Sequence, residues 1–223
     1  MTVDTLGQKG RKPVEFARLP AGFGFSYVPE LPRIRPRTLG AWDRTWSSAV
    51  DALADHVWHW MHRDETDPAS GADRLLVALD WCLLLMDAQK LRVGMDDRPW
   101  RDPVWLESRP DVLDLLPDHG WFGVPRSADD LAVHFHRGAQ KYPDKEPGVA
   151  NWSLGLFWCD SLNALFRHLR LWVAGEDVDE ETGSSHLAAV AFHLVVVHEF
   201  ARTGRGVDDR PRLPGTDHAG RAG

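Results

Sequence analysis

An all-α fold is predicted: a helical bundle made of two tandem helix-turn-helix repeats related by pseudo-twofold symmetry. Three observations predict it. Residues 156–174 place Trp158, Leu162, Leu165, Leu169 and Trp172 on one helical face, with Asp160, Asn163, Arg167 and Arg170 on the other. Residues 186–202 are apolar around nearly the whole circumference, the mark of a central helix, and a five-carboxylate turn at 175–186 joins the two. Finally, sliding the chain by 112 positions aligns 49–99 with 161–211 without a gap. Ala52, Leu53, His56, Trp60, Asp67, Gly71, Leu75, Gly94, Asp96, Asp97, Arg98 and Pro99 recur as Ala164, Leu165, His168, Trp172, Asp179, Gly183, Leu187, Gly206, Asp208, Asp209, Arg210 and Pro211. Roughly three matches would arise by chance at average composition. A shorter echo sets Lys12-Pro13 and Leu19-Pro20 against Arg109-Pro110 and Leu116-Pro117. A duplication explains both.

In chain order, residues 1–40 are rich in Gly, Pro and Arg, and Pro20, Pro29, Pro32 and Pro36 forbid a long helix, so an extended wrapping segment is expected. The first repeat, 41–99, reads as a helix over 46–63, an acidic turn over 64–71 and a helix over 73–92. A connector over 100–126 carries Trp100 and Trp105, too aromatic for a free linker, and is expected to pack across both repeats. The second repeat, 127–204, opens with Ser127 and Asp130 in capping-box spacing. Its first helix is expected to run to Arg137 and end at Gly138, leaving Lys141 in a loop. Ser184 or Ser185 caps the helix that begins at His186. Residues 205–223, with almost no apolar side chains, read as a flexible tail.

Composition narrows the function classes. A hydrophobic fraction of 43% with 26% charged residues fits an ordinary globular chain. The net charge of -7, with no Lys/Arg run to offset it, argues against nucleic acid or an anionic membrane as partner. Two cysteines, Cys82 and Cys159, both in apolar helical runs, make a disulfide framework or cysteine zinc site improbable. The apolar run 190–197 is too short to span a bilayer and contains His193; with no signal-peptide pattern, a cytoplasmic location is expected. The acidic turn is not an EF-hand either. Asp177, Asp179 and Glu181 alternate as calcium ligands do, but the twelfth position is Ala188 where a bidentate Glu is required. Self-association into a homo-oligomer is left open.

A family resemblance rests on Arg109-Pro110, Asp114-Leu-Leu-Pro117, Gly138-Ala-Gln-Lys141-Tyr142, Asn151-Trp152, Arg167-His168-Leu169, Gly175-Glu176-Asp177, Asp179, Glu181-Thr182-Gly183 and His186-Leu187-Ala188. In that order and spacing the chain resembles the phage-associated dATP/dGTP diphosphohydrolase N-terminal domain. By activity that family is similar to the all-α MazG-like pyrophosphohydrolases. The resemblance implies a helical, metal-dependent hydrolase releasing a nucleoside monophosphate and pyrophosphate from a dNTP. It covers the second repeat; the first has no Gly-Ala-x-Lys-Tyr between Pro20 and Trp46 and carries Arg74 where the second has His186. His193 stands where the family has Asn, a departure at a position open to base or sugar recognition.

Hydrolysis of a triphosphate calls for hard oxygen ligands to hold Mg²⁺ or Mn²⁺, which neutralises phosphate charge and activates water. Glu176 and Asp179, three residues apart, are the candidate metal ligands, with Glu199 as the acidic residue left on the last helix. Glu176 and His186, the latter beside the acidic turn, are the candidate catalytic groups. Lys141 and Arg167 are positioned to counter triphosphate charge, and Asn151 and His168 to contact the substrate. Each has a plainer reading: a solvated turn between helices, a packed histidine over Trp172 as His56 is over Trp60, an exposed lysine, a Trp152 anchor. A second carboxylate set, Asp51 and Asp55 with Asp73, Asp80 and Asp87, competes in the first repeat, where a solvated face is the favoured reading. The alternative function is a catalytically inactive nucleotide-binding or structural helical protein.

Overall fold

The computed structural model describes residues 45–99, 102–106, 127–144, 146–147 and 149–212. The wrapping segment expected over 1–40, most of the 100–126 connector and the end of the tail lie outside them. Among the described residues the fold is mostly helical, with five α-helices and one short ribbon. Helix α1 (Trp46–Met61) starts where the Thr45 hydroxyl accepts the Ser48 amide at 3.2 Å, and it buries Trp46, Ala49, Leu53, Val57 and Trp60 at helical spacing. Helix α2 (Arg74–Leu91) starts at Asp73, whose carboxylate accepts the Leu75 amide at 2.7 Å, and closes on Arg92 in the left-handed region at φ 56°. Helix α4 (Trp158–Val173) buries Trp158, Leu162, Leu165, Leu169 and Trp172, the face expected from sequence. Helix α5 (His186–Thr203) starts at Ser185, which caps Leu187, and closes on left-handed Gly204 at φ 67°.

Helices α2 and α5 lie against each other at the centre, α1 covers α2, and α4 covers α5. That is why α2 is buried from Arg74 to Ala88 on every face, Asp80 and Asp87 included. Each fully buried Leu or Val there contributes roughly 1.5–3 kcal/mol. The Cys82 thiol donates to the Leu187 carbonyl at 3.3 Å across this seam. No described helix is long and apolar enough to cross a membrane.

The two helix pairs share their local devices at a spacing of 112. Thr66 bridges Asp73 as Val178 bridges Ser185, and Thr45 bridges Met95 as Phe157 bridges Val207. Trp46 Nε1 donates to the Val93 carbonyl at 3.0 Å, and Trp158 Nε1 to the Arg205 carbonyl at 3.0 Å. Between the pairs the contacts are exchanged. Arg98 donates to the Trp172 carbonyl at 3.0 Å and to Asp177 at 2.6 Å; Arg210 donates to the Trp60 carbonyl at 2.8 Å and to Glu65 at 2.7 Å. The Arg98 guanidinium lies 5.1 Å from the Trp46 ring and 4.5 Å from Trp172, and Arg210 lies 3.8 Å from Trp60 and 5.0 Å from Trp158.

Three expectations need correction. Helix α3 (Ala128–Lys141) does not stop at Arg137: Gly138 stays helical and accepts the Tyr142 amide at 2.8 Å, so Lys141 is the last helical residue rather than a loop residue. Acidic Asp129 and Asp130 in the first turn and Lys141 in the last suit the helix dipole over this longer span. The Ser127–Asp130 capping box is not made either; Ser127 is itself in helical conformation, its hydroxyl donates to Leu83 O at 3.3 Å, and its amide donates to the Asp87 carboxylate at 2.9 Å. Finally, the supposed flexible tail is held from 205 to 210. Arg210 is buried between two indoles and four hydrogen-bond acceptors, which overrides the lack of apolar residues.

Candidate functional site

The acidic turn between α4 and α5 folds on its own backbone. The Asp179 amide donates to Ser184 O at 2.8 Å, Gly183 donates to Asp179 O at 2.6 Å, and the first amide of α5, that of His186, donates to Asp177 O at 3.1 Å. Gly183 sits at φ 65°, where a β-carbon is strained, and its open face lets Arg137 approach. The Asp179 carboxylate is half-buried inside the turn and accepts the Thr182 hydroxyl at 2.7 Å. Burial pushes its acidity the other way, but Thr182, the Glu181 amide and the neighbouring His168 and His186 prevail, and Asp179 stays below the usual carboxylate range.

Behind the turn lies a group of imidazoles. His168 of α4 and His186 of α5 meet Nδ1 to Nδ1 at 2.9 Å, so one ring donates and the other accepts. His193, two turns further along the same face of α5, stacks on His168 with centroids 6.1 Å apart, and His134 of α3 packs edge-on to Phe192 at 5.3 Å. Burial, reinforced by their mutual repulsion, lowers His134 and His168 to about 4 and His193 to about 3. These three rings are neutral at pH 7. In the first half of the chain the corresponding contact is Arg74 to His56 at 3.4 Å, and Arg74 pairs with Asp64 at 2.8 Å.

Helix α3 lies over the turn and supplies cations. The Lys141 ammonium pairs with Glu181, which raises its affinity for the proton, and Arg137 donates to the Ser184 hydroxyl at 3.2 Å. Arg167 is exposed on α4 next to His168. Arg137 and His134 were not evident from the sequence. Both are on the Lys141 face of α3, four and seven positions back, a spacing obscured by ending that helix at Arg137.

The other predicted residues are distributed as follows. Glu176 is exposed at the start of the turn. Asn151 opens a 3-10 turn (Asn151–Leu154), and the neighbouring Trp152 packs edge-on against Phe135 at 5.8 Å, an anchoring role. Glu199 is buried near the opposite end of α5, thirteen residues from His186 or about 20 Å along the axis, and is bonded to Arg202 at 2.9 and 3.1 Å. Glu176, Asp179 and Glu199 therefore do not meet, and among the described residues no three His, Cys, Asp or Glu side chains form a group able to hold a metal. The rival carboxylates of the first half are dispersed too: Asp73 caps α2, Asp87 receives the Ser127 amide, Asp55 lies beside His59 and Asp51 faces solvent.

Turn, imidazole pair and α3 cations thus lie side by side, joined by the Lys141–Glu181, Arg137–Ser184 and His168–His186 contacts. Residues 109–210, a little under half of the 223-residue chain, match the model of the family described as dATP/dGTP diphosphohydrolase, N-terminal. No curated protein and no solved structure matches the chain.

Proposed function

Because residues 109–210 match the dATP/dGTP diphosphohydrolase N-terminal family model, we propose that the chain hydrolyses a deoxynucleoside triphosphate to the monophosphate and pyrophosphate at the acidic turn of its second half. The observation that carries this is the placement of Lys141 and Arg137 directly over the turn, with the His168–His186 pair behind it. In this reading Lys141, Arg137 and Arg167 bind the triphosphate, since charge-assisted contacts to phosphate oxygens are the strong ones. His186 handles a proton through its bond to His168, and Asn151 contacts the substrate from the 3-10 turn.

Because the described residues do not form an all-protein cage, the reading takes Mg²⁺ or Mn²⁺ as arriving on the triphosphate, held in addition by one or two carboxylates, the usual manner for Mg²⁺. Glu176 and Asp179 would hold it. The ion supplies charge neutralisation and an acidified water. The test is chromatographic: purified protein with each dNTP and Mg²⁺ or Mn²⁺ should release monophosphate and pyrophosphate. Intact dNTPs and ribonucleotides under all these conditions would end the enzyme reading. The dispersal of Glu199 favours a second reading, nucleotide binding without turnover, in which dNTPs raise the melting temperature by mass action yet are recovered unchanged.

The same proposal includes a duplicated architecture about a pseudo-twofold axis. It is supported by helix bounds, caps and bridges that recur at 112 and by the exchange of Arg98 and Arg210 between the halves. The first half would then brace the second, with Arg74 in place of His186 marking it as the half without the imidazole pair.

A further inference from the structure

A cavity of about 210 Å³ lies where the two halves meet beside the acidic turn. It is lined by Met86, Gln89 and Lys90 of α2, Asp130 of α3, and Asp177, Val178 and Ser185 of the turn. Pockets that enclose a whole drug-sized ligand run to about 300–1,000 Å³, so this one suits a single ring system. It adjoins the cations over the turn: Ser185 follows Ser184, which holds Arg137. Along α3, Arg137 and Lys141 lie seven and eleven residues beyond Asp130, ~10.5 and ~16.5 Å by helical rise. A base, a deoxyribose and three phosphates can lie in that order along this span.

Gln89 is the distinctive wall. Trp172 Nε1 donates to its side-chain oxygen at 3.2 Å. An indole N–H only donates, so the amide oxygen is the atom held, and the amide nitrogen with its two hydrogens is the other arm. The indole does not by itself call for this residue. At the position 112 residues on stands Ala201, and Trp60 Nε1, the counterpart of Trp172 Nε1, is buried without a hydrogen-bond partner among the described residues.

We propose that this cavity takes the base of the nucleotide, that the base is guanine, and that Gln89 and Lys90 read it. The proposal rests on the nucleotide reading above and adds to it a wall from the first half, outside residues 109–210. The Gln89 nitrogen and the Lys90 ammonium are donors, and guanine offers two adjacent acceptors, O6 and N7. Adenine sets the N6 donor beside N7, a pair that glutamine meets with its oxygen and nitrogen together. Here the oxygen is held by Trp172. On the facing wall the Asp130 carboxylate accepts from Lys90 at 3.2 Å. Both partners of that pair are nearly half exposed, so it rearranges at little cost, and Asp130 can accept from the guanine N2 amino group. Met86 and Val178 give the ring apolar surface.

The experiment is calorimetric titration of the full chain in Mg²⁺ with tripolyphosphate and with the α,β-methylene analogues of dGTP and dATP, which resist cleavage at the bond the proposed reaction breaks. The native chain should bind the dGTP analogue at least about tenfold more tightly than the dATP analogue. Gln89→Glu keeps an oxygen for Trp172 but has no donor, and Gln89→Ala has neither; both should bring the two analogues within about threefold of each other. The ratio is the readout because added charge or lost stability weakens both analogues alike. No guanine preference in the native chain, or a preference that survives in either variant, overturns the base site, while binding of the analogues and tripolyphosphate leaves the nucleotide reading standing. Absence of binding by all three ligands overturns both.

Discussion

The buried imidazoles predict how stability responds to acid. His134, His168 and His193 have folded-state values of about 4, 4 and 3, below the unfolded value near 6.5. Above pH 7 both states are neutral and the groups contribute nothing to the pH dependence. As pH falls through 6.5 the unfolded chain takes up protons that the folded chain refuses, so stability drops, by about 1.4 kcal/mol per pH unit for each group. At pH 5 one such histidine has cost about 2 kcal/mol, and the three together roughly 4–6 kcal/mol, the lower end allowing for repulsion that they share.

The charged or titratable groups acting on His193 are His168 and Arg167 of α4 and His134 of α3; Arg137 and Asp179 act on His134, and His186, Asp179 and Glu181 on His168. His56 in the first half is also lowered and adds to the total in wild type. Asp179 and Asp208, depressed carboxylates, lose their contribution only below about pH 4, outside the window. The decisive comparison is His193→Asn, read by urea unfolding at pH 7, 6 and 5. The variant should lose about 2 kcal/mol less than wild type between pH 7 and 5, whatever its stability at pH 7. Parallel curves for the two proteins would refute a neutral, desolvated His193.

Lys141→Ala and Arg137→Ala should each raise KM for the dNTP about tenfold or more with kcat little changed, as lost phosphate contacts do; steady-state kinetics that leave KM untouched would move the binding site elsewhere. Glu176→Gln should cut pyrophosphate release at least ~100-fold, whereas Glu199→Gln, remote from the turn, should leave it within about threefold. Arg98→Ala should destabilise by about 3–5 kcal/mol in urea titrations because it strands the fully buried Asp96, and Arg210→Ala by less, because its carboxylate partners Asp208 and Glu65 reach solvent; equal losses would refute that difference.

Most of the bundle was legible because its signals are local. Apolar spacing identified the inward face of α4, and Ser185 stands where the cap of α5 was read. What escaped depended on distant partners. Gly138 reads as a helix stop, yet the fit of α3 against the turn, through Arg137 to Ser184 and Lys141 to Glu181, carries the helix past it. Arg210 reads as part of a charged tail, and only the Trp60 and Trp158 rings explain its burial. The aligned window that begins at residue 49 also stops short of Trp46 and Trp158, the two indoles that meet Trp172 and Trp60 across the halves at 5.6 and 5.7 Å. The imidazole group was half visible: His168, His186 and His193 could be marked individually, but no periodicity brings α4 and α5 together Nδ1 to Nδ1.

The exchange of arginines bears on why the first half is retained without an imidazole pair of its own. Arg98 leaves the first half to bond the Trp172 carbonyl and Asp177, the latter one residue from Glu176 in the candidate site. Asp177 in turn accepts the His186 amide through its backbone carbonyl, so the start of α5 is tied, through one residue, to a guanidinium of the other half. Arg74, replacing His186, fixes Asp64 and His56 and closes the equivalent place in the first half. The first half thus carries the Arg98 contacts to the second half without an imidazole pair of its own.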